Sequence, residues 1–80
     1  VREIGKDTRG ITERLSAREK EVLTLMVKGF INKEIAEKLG ISLTTVIFHR
    51  NNICEKLGTR SIGRMTIYAV LSGLVEINDI

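Results

Sequence analysis

His49 and Cys54 are the only histidine and the only cysteine in the 80-residue chain. A nucleophilic pair needs both side chains on one face of the element that carries them. On a helix, at about 100° per residue, these two stand about 140° apart and cannot form such a pair. A metal ion would find one imidazole and one thiol and too few further ligands. No catalytic residue, no metal and no cofactor is therefore expected, and Cys54 reads as a small, half-buried hydrophobe. With one cysteine there is no intrachain disulfide.

The remaining chemistry is ionic and hydrogen-bonding. Thirteen Lys and Arg against ten Asp and Glu leave +3, a bias that permits a polyanionic partner without establishing one. Its distribution says more. From Lys38 to Arg64 there are five basic residues (Lys38, Arg50, Lys56, Arg60, Arg64) and one acid, Glu55, a net +4, while Glu13, Glu19, Glu21, Glu34 and Glu37 crowd the first half.

Elements must position these groups, and glycine and serine mark them. Ser16 and Glu19 have the spacing of a capping box, in which the hydroxyl accepts a backbone N–H and the carboxylate returns to the cap. A first helix is predicted over Ala17 to Lys28, with Val22, Leu23, Leu25 and Met26 as its apolar stripe and Gly29 beyond its end. Asn32 is the next N-cap, opening a short helix with Ile35, Ala36 and Leu39 that Gly40 closes. Ser42 caps a third helix over about 43–57, along which Val46, Ile53 and Leu57 repeat as a buried seam. Ser61 caps a fourth over about 62–72, with Gly73 after it. The fold class is all-α, with four helices.

Composition agrees. A hydrophobic fraction of 42% and a charged fraction of 29% describe one small globular domain, too short for a large enzyme. No apolar run nears the roughly 20 residues of a membrane span, and no secretory h-region opens the chain, so a cytoplasmic protein without membrane contact is expected. Residues 1–12 read as a linker or tail and 13–80 as the domain. The start at Val1 instead of Met hints at a longer parent.

Only Gly40, Ile41 and Ser42 separate the second and third helices. A three-residue turn with glycine matches the helix-turn-helix unit, whose second helix enters the DNA major groove. Ala36 supplies the small residue where the two helices meet and Gly40 the positive φ of the turn. Ile35, Leu39, Ile41 and Val46 fall where the unit buries apolar groups. A plain helical hairpin fits the periodicity equally, but leaves the rapid succession of Gly40 and Ser42 without a reason.

At this point the chain resembles the LuxR/NarL-type (GerE-type) DNA-binding domain of bacterial transcription regulators. The likeness is carried by Leu15-Ser16, Arg18-Glu19, Glu21-Val22-Leu23, Leu25, Gly29, Asn32-Lys33-Glu34-Ile35-Ala36, Leu39, Ile41-Ser42, Thr45-Val46, His49, Ile53, Lys56-Leu57 and Arg60. It implies four helices, the third for recognition and the fourth for dimerisation. It also implies the C-terminal effector of a response regulator, joined through a linker to an upstream receiver domain. Double-stranded DNA and a second copy of the chain are the implied partners.

Around the third helix, Thr44, Ile47, Phe48 and Asn51 lie opposite the seam and are the expected base contacts. Asn51 suits adenine, and Ile47 and Phe48 suit thymine methyl groups. The family often has lysine at position 47 and a basic residue at 51, so this reading surface is less positive than usual. An alternative turns Phe48 into the core. Expected phosphate contacts are Lys33, Ser42, Thr45, His49, Arg50 and Arg60. For His49 packing is the alternative, and for Arg60 an ion pair with an acid of the first helix. Arg50 lies near the seam and must snorkel outward. Lys28, Lys38 and Lys56 read as solvated, with Glu34 and Lys38 as a surface pair.

The fourth helix is apolar on more faces than one small bundle needs. Ile62, Met65, Thr66, Ala69 and Gly73 are the expected dimer interface, unless Leu74, Val75 and Ile77 fold back over the helix. The competing class is a helical protein-interaction module that has lost DNA binding.

Overall fold

The computed structural model describes residues 10 and 12–80. A 3-10 turn (Thr12–Arg14) leads into α1 (Ala17–Val27), α2 (Asn32–Leu39), α3 (Leu43–Leu57) and α4 (Ile62–Leu71), and a second 3-10 turn (Ile77–Asp79) follows. The described residues contain four α-helices and no strand. None of these helices is long and apolar enough to cross a membrane.

The predicted capping box forms. Ser16 Oγ accepts from the Glu19 N–H at 3.1 Å, and Glu19 Oε1 accepts from the Ser16 N–H at 2.9 Å. At α2 the prediction fails by one residue. Ile31 takes the extended cap conformation, and the Glu34 carboxylate accepts its N–H at 2.9 Å. Asn32 is thus the first helical residue, and its side chain is spent elsewhere. Gly40 ends α2 in the left-handed region at φ 67°, and Ser42 caps α3 by accepting from the Thr45 N–H at 3.1 Å. That glycine lets the chain reverse within three residues and start the next helix.

The core is built on α1, which packs against α2, α3 and α4, while α2 packs against α3. Leu23, Ile35, Ile53, Met65, Val22 and Val46 are its largest fully buried side chains. The seam foreseen on α3 is the buried one, joined by Cys54. α3 is therefore held along one side only, its opposite side open to solvent.

The ends of the domain and the face of α4 differ in detail from the expectation. Most of the expected 1–12 tether lies outside the described residues, but Thr12 is buried and its carbonyl accepts the Leu15 N–H at 3.2 Å. The packed domain therefore includes Thr12. α4 stops at Leu71, with Ser72 as its C-cap. Met65 and Ala69, expected at a dimer interface, are 1% and 0% exposed. Four positions apart, they share the face that α4 turns to α1, and neither can meet a second copy. Val75 does fold back and is buried, with Leu74 half-buried, whereas Ile77 stays 75% exposed.

Candidate nucleic-acid interface

The open side of α3 carries Thr44, Ile47, Phe48 and Asn51 together, all exposed. Phe48 faces outward at 60% exposure, so the alternative of a core position is overturned. Its ring stands 5.7 Å from that of His49, tilted by 60°. His49 turns partly inward, and its Nδ1 is buried without a hydrogen-bond partner. Two side chains able to hydrogen-bond and two apolar ones thus share a surface one helix wide, dimensions that a duplex major groove admits.

Donors surround this face. Lys33 is exposed near the start of α2. Ser42 and Thr45 share a hydroxyl hydrogen bond of 2.8 Å at the N-terminus of α3, where unpaired backbone N–H groups and the helix dipole favour an anion. Arg50 is half-buried, and its Nη1 donates to Asn32 Oδ1 at 2.7 Å. This is the bond that takes Asn32 away from capping. Arg60 Nη1 lies 3.5 Å from Asn51 Oδ1, a long contact between the loop after α3 and its open side. The acid of the first helix foreseen as a partner for Arg60 is not there.

That acid belongs to Lys56, which sequence reasoning left in solvent. Lys56 Nζ donates to Glu19 Oε1 at 2.8 Å, the same oxygen that accepts the Ser16 N–H. A signal existed: Lys56 lies seven positions after His49 and so on the same side of α3, the side that meets α1. The expected Glu34–Lys38 pair also fails to form. Glu34 is committed to the Ile31 N–H, and Lys38 Nζ sits 4.6 Å above the centre of the Phe30 ring, a cation–π contact.

Burial pushes the Glu19 carboxyl up, but the Lys56 ammonium, the Ser16 N–H and the nearby His49 together outweigh it and hold it below its ordinary value. Stabilisation from a lowered carboxyl is present above its unfolded value and is lost as pH falls through the folded one. Lys56 remains 40% exposed, so the pair belongs below the full cost of breaking a buried one. Glu19→Gln is expected to cost about 2 kcal/mol near neutral pH. In urea unfolding the gap from the parent chain should close as the pH falls from neutral through the lowered titration range of Glu19. A gap independent of pH would dismiss the ion pair as its cause.

With α3 exposed on one side and ringed by donors, the relatives are informative. The family described as bacterial regulatory proteins, luxR family (GerE), matches residues 13–69. This chain belongs to that family. The luxR-family domain is 48% identical over 62 residues to the oxygen regulatory protein NreC of Staphylococcus aureus strain JH9, an alignment covering 78% of the chain and 29% of that protein. The NreC of strain JH1 matches to the same extent. The chain thus spans less than a third of the length of these curated relatives. It is also similar to a solved structure, a low-resolution structure of the response regulator StyR. There the TM-score is 0.79 and the identity 38%, over 85% of this chain and 34% of that one. The four helices are those of the luxR-family helix-turn-helix domain, with α2 and α3 as its helix-turn-helix.

Proposed function

We propose that this luxR-family domain reads double-stranded DNA for a bacterial transcription regulator, laying α3 in the major groove. The observation that carries the reading is the division of α3 into a side locked in the core and a side presenting Thr44, Ile47, Phe48 and Asn51 to solvent. Base edges meet those four residues. Lys33, Ser42, Thr45, His49, Arg50 and Arg60 lie around them for backbone phosphates, which fix register while bases specify sequence. The domain works by binding and makes or breaks no bond, in the cytoplasm where its DNA lies.

Two copies pair through the outer side of α4. Ile67 and Leu71 are exposed there, whereas Ile62 opens instead onto the groove beside α3 that Ile47 and Asn51 line. A shallow apolar groove of about 400 Å³, lined by Thr66, Ile67, Val70, Leu71, Ile77 and Ile80, runs along it. A two-fold pair reads two half-sites whose spacing is set by the protein. Upstream, in the longer protein, a receiver domain masks one of these surfaces until phosphorylation frees it.

Selection of bound sequences from a random duplex pool tests the reading. A two-fold consensus containing adenine is expected. Asn51→Ala should relax one adenine position per half-site by about 5- to 150-fold, the worth of a bidentate contact. An Asn51→Ala chain that selects the unchanged consensus would remove that contact, and a pool from which nothing is enriched would remove DNA binding itself.

A further inference from the structure

We propose that Asn32 is a positioning residue for DNA binding, aiming the Arg50 guanidinium at a duplex phosphate beside the base-reading face. This rests on the DNA-binding reading above. Arg50 leaves α3 next to its buried seam, where a long flexible side chain has many ways to lie. One of them is fixed: Nη1 donates to Asn32 Oδ1 at 2.7 Å, from the first residue of α2.

The chemistry of the acceptor matters. A carboxylate at position 32 would hold the guanidinium at least as firmly, but would cancel its charge. An amide oxygen orients it and leaves the charge whole. Neither of the two ion pairs among the described residues involves Arg50. A guanidinium has five N–H donors in a rigid fork, so one bond to Asn32 leaves others for a second acceptor.

The surroundings say which acceptor. Asn32 and Arg50 line an open groove of about 500 Å³, and Ile47 and Asn51 of the reading face line the same groove. The fixed cation therefore stands at the edge of the surface that meets base edges, where the sugar–phosphate strand bounding the major groove passes. Lys33, the next residue after Asn32, is exposed as well. A phosphodiester oxygen meets a donor already oriented, and less rotamer freedom is left to lose on binding.

The test titrates the full chain against a duplex from the selected pool, by fluorescence anisotropy at several salt concentrations. Arg50→Met should flatten the slope of log affinity against log salt by about 0.9 per domain. Asn32→Asp should reproduce most of that loss while keeping or raising the thermal midpoint, because the link to Arg50 becomes an ion pair. In Arg50→Met/Asn32→Asp the two effects should not multiply. Asn32→Ala, which frees the guanidinium without neutralising it, should weaken binding several-fold and leave the slope unchanged.

An Asn32→Asp chain that binds with parental affinity and slope would make the bond a mere strut and overturn the proposal. So would losses that multiply in the double variant, since the new acid would then repel DNA independently of Arg50. A parental chain without salt-dependent binding overturns this inference together with the DNA reading. A steep parental slope beside an unaffected Asn32→Asp overturns this inference alone.

Discussion

Raising monovalent salt from about 50 to about 200 mM should weaken binding to a selected duplex by about 40-fold for one copy and on the order of 1,000-fold for a two-fold pair. The arithmetic is that of counterion release. Lys33, Arg50 and Arg60 are the cations proposed to meet phosphates, and each phosphate neutralised contributes about 0.9 to the slope of log affinity against log salt. Lys56 adds nothing, because its ammonium is bound to Glu19. A domain that used α3 to grip a protein through Ile47 and Phe48 would hardly respond to the same titration, since burial of apolar surface is not screened by salt. A flat response would therefore favour an interaction module over a DNA reader.

The second large effect belongs to stability. Ile53 is fully buried on the inner side of α3, and Ile53→Ala removes most of a side chain from a site that its neighbours can refill only in part. The expected cost is about 2–5 kcal/mol, against a total of about 4–12 kcal/mol for a domain of this length. Urea unfolding should show a much lower midpoint for Ile53→Ala. Asn51→Ala, two residues earlier on the outer side, should fall within about 0.5 kcal/mol of the parent chain. Equal midpoints for the two variants would contradict the division of α3 into an anchored and an open side.

Much of this division was legible in the sequence. The apolar seam at Val46, Ile53 and Leu57 follows from helical period, and the caps at Ser16, Ser42 and Ser61 are local signals that act within a turn of themselves. The bounds of α3 follow from one such cap and from Gly58. Asn32 was misplaced because its local preference is for capping, while the partner that claims its side chain stands 18 residues away. The pairing of Glu19 with Lys56 spans 37 residues: helical spacing puts Lys56 on the side of α3 that meets α1, but no local rule names the partner. α4 defeated the reading for another reason. With apolar residues on several sides, its periodicity does not say which side the core takes. The fold assigned Met65 and Ala69 inward and left Ile67 and Leu71 out. Among the recognition candidates, position on the wheel places Thr44, Ile47, Phe48 and Asn51 on the open side of α3, where they are exposed, but the bonds of Arg50 and Arg60 to side-chain amides are not readable from it.

One oxygen atom in Glu19 holds both the opening turn of α1 and the closing turn of α3. Helix ends are where native structures ordinarily fray first and independently of one another. Here the two ends share a fastener, so amide protons in both turns should exchange with solvent through a single opening event. The tail of α3 should thereby persist as long as the opening turn of the central helix α1.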